Sequence, residues 1–116
     1  MNGVIHGVSP EIDTSPLPEI IRRIVAAIDP DRIVLFGSRA RGDAKADSDY
    51  DLLVVKTTTQ RTLPLEQAAY DVMFGVLAPV DILVITPERL ERLKEARFLV
   101  FRDALREGKV VYDRST

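Results

Sequence analysis

Apolar side chains recur along this chain in two rhythms, and the switches between them mark out its elements. Leu17, Ile20, Ile21, Ile24, Val25 and Ile28 fall at i, i+3, i+4, i+7, i+8 and i+11, which is one face of an amphipathic helix. Pro16 and Pro18 fit only before or within its first turn, where a missing N–H costs nothing. Asp29-Pro30 ends it, because proline disfavours helical geometry in the preceding residue. Glu19, Arg22 and Arg23 take its wet side. The rhythm then shortens. Arg32 to Phe36 is a β-branched and apolar block that reads as a buried strand, and Tyr50 to Lys56 reads as a second. Between them Gly37-Ser38 breaks the apolar run, and a turn of helix is expected around Ser38 to Gly42, before a polar loop.

After the polar connection Thr57 to Thr62, the helical period returns at Leu65, Ala68, Ala69, Val72, Met73, Val76 and Leu77. Met73 belongs to that packing stripe, and Ala78-Pro79 stops the helix. Val80 to Ile85 is the third strand. Thr86-Pro87-Glu88 has the form of a helix start, with Thr86 as N-cap and Pro87 in the first position. Helical sequence continues, with room for a break near Ala96-Arg97, to Glu107, and Gly108 suits the C-terminal cap. The run Phe98-Leu99-Val100-Phe101 has more apolar surface than one helix stripe needs, so it forms a contact surface or lies between sheet and helix. Lys109 to Tyr112 reads as a final strand at a sheet edge. Strands alternate with helices and nothing repeats, so the class is α/β (α+β), a small mixed β-sheet of about four strands flanked by helices. Residues 1–16, with Gly3, Gly7 and Pro10, read as a flexible lead-in to a single domain spanning 17–116, and the lone His6 is expected in solvent.

Composition narrows the function more than the fold. The 46% apolar and 29% charged residues suit a globular chain, and 116 residues allow one core. A formal charge of −2 argues against direct nucleic-acid binding. No apolar run approaches a membrane span, and the N-terminus lacks the basic and apolar regions of a signal peptide. Without cysteine there are neither disulfides nor thiolate metal sites, and a cytoplasmic setting is expected.

Chemistry concentrates between Ile33 and Val55. Side chains alternate along a strand, so Asp49 and Asp51 face the same way, and two such carboxylates repel each other unless a cation intervenes. Mg²⁺ suits them, since it takes carboxylate and phosphate oxygens and keeps several waters. Asp81 interrupts the third apolar strand and is the candidate for a third carboxylate, the alternative being a strand-end residue that caps something nearby. Gly37 and Ser38, where a strand runs into a helical turn, offer backbone N–H groups and a hydroxyl to phosphate. Arg39 and Arg41 stand near enough to add contacts, or else face solvent or pair with Asp43 or Asp47. Each part alone is weak, because 18 residues are acidic; the ordered combination is specific and suits nucleotidyl transfer.

Gly37-Ser38-Arg39-Ala40-Arg41-Gly42 together with Ser48-Asp49-Tyr50-Asp51-Leu52 closely resembles the signature of the minimal nucleotidyltransferase family, within the DNA polymerase β-like superfamily. The resemblance covers roughly Ile20 to Asp113. It implies a mixed sheet, Mg²⁺ and ATP as nucleotide donor. It also implies metal binding by Asp49, Asp51 and Asp81, help from Asp81 in deprotonating the acceptor, and phosphate binding by Gly37 and Ser38. The 35 residues after Asp81 are not expected to hold the acceptor-binding domain found in larger relatives, such as aminoglycoside nucleotidyltransferases. Stand-alone members are similar to antitoxins that adenylylate a tyrosine of a HEPN-domain ribonuclease toxin, which implies a toxin partner here. An idle site that neutralises the toxin by binding alone, and a small-molecule nucleotidyltransferase, are the alternatives.

Overall fold

The computed structural model describes residues 4–5, 15–95 and 106–115. In chain order the elements are β1 (Val4–Ile5), α1 (Leu17–Ile28), β2 (Arg32–Phe36), α2 (Ser38–Arg41), β3 (Tyr50–Val55), α3 (Thr62–Asp71), β4 (Val80–Ile85), α4 (Pro87–Glu95) and β5 (Lys109–Asp113). The sheet order is β1-β5-β2-β3-β4; β3 and β4 are parallel and every other pair is antiparallel, so the sheet is mixed. The expected α/β class is the observed one.

The alternation along β3 explains the layering. Leu52 and Val54 pack under α1 and α3 with Ile20, Ile24, Ile33, Ile82 and Val84. Leu53 and Val55 point the other way, to a smaller cluster of Val34, Ile85 and Leu90 beneath α4. A strand buried on both faces must read as a continuous apolar run, as β3 does after its first two residues. The α1 stripe is as read: Leu17, Ile20, Ile21, Ile24 and Ile28 are buried. Each fully buried Ile contributes roughly 1.5–3 kcal/mol. The helix ends with Asp29 in the left-handed region at φ 48°, its N–H donated to the Val25 carbonyl. Ser15 Oγ accepts the Leu17 N–H at the other end.

Two expectations are corrected. The apolar spacing predicts an α3 stripe through Leu77, yet the helix closes at Asp71, a turn follows, and Gly75 takes φ +86°. Leu77 is consequently 96% exposed, not packed, while Met73 and Val76 do lie against the core. Strand β5 lies inside the sheet, because Val4 and Ile5 pair with Asp113 and Tyr112 on its far side. Those two residues also tie part of the lead-in to the sheet. The run Phe98-Leu99-Val100-Phe101 and the proposed break at Ala96-Arg97 lie outside the described residues.

Arg23, read as simple surface, closes the end of α3. Its Nη1 donates to the carbonyls of Val72 at 2.9 Å and Phe74 at 2.6 Å, while Nε donates to Glu19 at 2.7 Å. An Arg23→Met substitution is expected to cost on the order of 1–2 kcal/mol, reduced by the group's partial exposure, and urea unfolding measures it. Hydrogen bonds from Arg22 and then Arg23 hold the Glu19 carboxyl down at about 2, against its ordinary 4.5. The lowered value stabilises the fold above pH 4.5, and that contribution is lost as pH falls through about 2. Glu19→Gln is therefore expected to lower the melting temperature at neutral pH and to match the parent below pH 2.

Candidate active site

Because β2 is antiparallel to β3 and β3 is parallel to β4, the end of β2 and the starts of β3 and β4 meet at one end of the sheet. Phe36 pairs with Asp51, and Asp51 pairs with Asp81. Asp51 and Asp81 thus stand on adjacent strands in direct register, about 4.8 Å apart in backbone terms. They share the face that carries Leu53, Val55 and Ile85 farther along. Asp51 is half-buried; Asp49, just before β3, and Asp81 are exposed. Burial pushes the Asp51 carboxyl above its ordinary value, and the charges of Asp81 and Asp49 push it the same way, with Arg41 opposing. Asp51 therefore feels the charge of both other carboxylates.

Gly37 forms the wall of this site. It sits at φ 73° and ψ −157°, a region open essentially to glycine alone. A Cβ placed there would come within 2.4 Å of Asp51 Oδ2. The Asp51 carboxylate therefore lies against the backbone where β2 enters α2. The short α2 begins at Ser38 and closes at Gly42, whose N–H reaches the Ser38 carbonyl.

The arginines have protein partners. Arg39 donates to the carbonyls of Ala46 and Ser48, at 3.2 and 3.0 Å, and its guanidinium lies 4.3 Å from the centre of the Tyr50 ring. It braces the loop that delivers Asp49, with Ser48 Oγ accepting the Lys45 N–H inside that loop. Arg41 pairs with Asp43 at 3.3 Å and with Glu107 at 3.5 Å.

Asp81 does have a neighbour that the sequence reading missed. Tyr70 Oη donates to Asp81 Oδ1 at 3.1 Å and accepts the Ile82 N–H at 2.7 Å. Burial raises the Tyr70 hydroxyl pKa above its ordinary value, so the phenol stays protonated and able to donate at neutral pH. One turn earlier, Glu66 accepts the Val84 N–H at 3.0 Å. The signal was present as a polar i, i+4 pair off the apolar stripe of α3, but nothing local assigned it to β4.

The family described as Polymerase beta, Nucleotidyltransferase matches residues 19–116, which span every element of the site. The chain belongs to the polymerase β-type nucleotidyltransferases. Solved structures agree on the fold of this nucleotidyltransferase domain. A toxin–antitoxin crystal structure with AMP-PNP superposes at a TM-score of 0.59 with 22% identity, covering 83% of this chain and 72% of that one. A candidate nucleotidyltransferase from Sulfolobus solfataricus gives 0.59 and 21%, covering 86% and 79%. A tyrosine-to-alanine variant of the MntA-HpeT toxin–antitoxin gives 0.57 and 21%, covering 84% and 72%. A comparison with curated proteins yields no match.

Among the described residues, no three His, Cys, Asp or Glu side chains are gathered into a ready-made metal cage. The candidate site nonetheless fits Mg²⁺ in its donor chemistry. Its candidate ligands are all hard oxygens, and Asp51 carries a charge that a cation would relieve. Mg²⁺ also commonly binds through one or two carboxylates plus substrate phosphates, without a full protein cage. Among the described residues no helix is long and apolar enough to cross a membrane.

Gly37→Ala is expected to lose stability by about 1–3 kcal/mol through backbone strain, and further through the approach to Asp51. Gly75→Ala, at φ +86° with open space around it, is expected to lose less. Equal unfolding midpoints for the two variants would remove the Asp51 contact from the explanation.

Proposed function

We propose that the domain transfers AMP from ATP to a hydroxyl of a partner protein, a HEPN-type ribonuclease toxin, and so acts as its antitoxin. The observation that carries this reading is the carboxylate group itself: Asp51 in register with Asp81, with Asp49 close enough to share its field. Among the described residues no cation is paired with any of the three. Asp49, Asp51 and Asp81 would hold Mg²⁺, which when bound neutralises the triphosphate and eases departure of pyrophosphate. Gly37 and the first N–H groups of α2 let phosphate oxygens approach the backbone, next to the Ser38 hydroxyl. Arg41, within electrostatic reach of Asp51, is the arginine better placed to add a phosphate contact, whereas Arg39 holds the loop.

In the proposed reaction the acceptor oxygen attacks the α-phosphorus of ATP, and the bond to the bridging oxygen breaks as pyrophosphate leaves. Asp81, the exposed member of the register pair, takes the hydroxyl proton. Two features support a protein acceptor. The fold resembles that of toxin–antitoxin assemblies, one of them solved with AMP-PNP. Phe74 and Leu77, 91% and 96% exposed, place apolar surface on the turn that leads directly into β4 and Asp81.

Labelled ATP, Mg²⁺ and the product of the neighbouring gene test the proposal. Label is expected on that partner with the parent domain, and a drop of at least about a hundredfold with Asp49→Asn. Absence of label with the parent, or equal label with Asp49→Asn, would overturn it. In that case rescue of growth by the Asp49→Asn, Asp51→Asn protein would point to neutralisation by binding alone.

A further inference from the structure

We propose that Tyr70 is a positioning residue for Asp81, fixing one carboxylate oxygen so that the other is left for metal or acceptor. The inference rests on the carboxylate site proposed above and extends it to α3, an element outside the recognised motif. The geometry is that of a short relay. Ile82, the residue after Asp81, donates its N–H to Tyr70 Oη at 2.7 Å, which fixes where the phenol oxygen sits relative to the strand. That oxygen has one proton to give and two acceptors in reach, Asp81 Oδ1 at 3.1 Å and the Ile82 carbonyl at 3.3 Å. The carboxylate is both nearer and charged, and hydrogen bonds to charged acceptors are the stronger ones.

Asp81 needs such a tether. It stands at the second position of an edge strand, is exposed, and faces the charge of Asp51 across the register. Repulsion alone would rotate it away from its neighbour along two side-chain torsions. A hydrogen bond to Oδ1 from a ring anchored in α3 restricts both torsions and leaves Oδ2 free. Partners of this kind around ligating carboxylates are commonly worth about 10–100-fold in metal affinity or activity.

Glu66 supplies a matched control. It accepts the Val84 N–H on the same edge of β4, one helical turn from Tyr70, and among the described residues no hydrogen bond joins it to Asp81. Tyr70→Phe and Glu66→Ala should therefore both disturb the edge, and only the first should disturb the carboxylate. Mn²⁺ titration followed by electron paramagnetic resonance reads the metal site without any need for turnover; AMP transfer gives kcat and the KM for ATP; thermal melts give stability. For Tyr70→Phe the expected result is Mn²⁺ affinity and kcat each down about 10–100-fold with an unchanged KM for ATP. For Glu66→Ala the expected result is a lowered melting temperature with parental Mn²⁺ affinity and kcat. Parental Mn²⁺ affinity in Tyr70→Phe would overturn the inference, as would equal losses in both variants tracking their stability. If the parent transfers no AMP to any acceptor, the proposed function fails, and the Mn²⁺ titration still decides the role of Tyr70.

Discussion

The direct register of β3 on β4 is the constraint on which the site depends. Parallel neighbours hold equivalent residues at a fixed spacing, so Asp51 and Asp81 cannot separate except by turning their side chains. A slip of one residue would send Asp81 to the opposite face and bring Ile82 to its place. The apolar alternation forbids that slip. Leu52 and Val54 match Ile82 and Val84 on one face, and Leu53 and Val55 share the other with Ile85. The core thus sets the electrostatics: burying the right isoleucines and valines forces two carboxylates together.

The chain holds a second aspartate pair of the same spacing, and the contrast is informative. Asp29 and Asp31, at the opposite end of the sheet, are both met by Arg114 at 3.2 Å. Thr57 N–H and the Thr57 hydroxyl also donate to Asp31, and Lys56 Nζ donates to the Asp29 carbonyl. That pair shares one guanidinium and clasps the chain where its strands end. Asp49 and Asp51 receive nothing comparable among the described residues; Arg41, whose charge Asp51 feels, pairs with Asp43 and Glu107. Identical spacing yields a structural joint in one place and an uncompensated charge in the other. The difference lies in which long-range partners the fold delivers.

That difference also explains how much was legible in advance. Local pattern was enough for α1, for β2 to β4 and for the start of α4, because each depends on periodicity, prolines and Thr86, whose hydroxyl accepts the Arg89 N–H. As candidates, Asp49, Asp51 and Gly37 could be picked out because they sit at fixed offsets along one continuous stretch, and Asp81 because it is the one charge in the apolar run of β4. What escaped was set by distant pairing. The place of β5 inside the sheet depends on Val4 and Ile5, more than a hundred residues away. The early close of α3 depends on Gly75 and on Arg23, which captures carbonyls that a longer helix would have used itself. Tyr70 could be seen as polar, yet its partner lies across a turn whose path no local pattern specifies.

The pair of side chains that α3 lays along β4 has a further effect, on what kind of complex this domain can enter. An outer strand normally advertises its free N–H groups to any extended segment, and many proteins recruit partners by letting such a segment complete the sheet. Here Tyr70 and Glu66 already occupy the N–H groups of Ile82 and Val84. Sheet completion beside Asp81 is closed off without any loss of access to the carboxylate itself. Anything that approaches Asp81 from this side meets the side chains of α3, and not a row of free backbone donors.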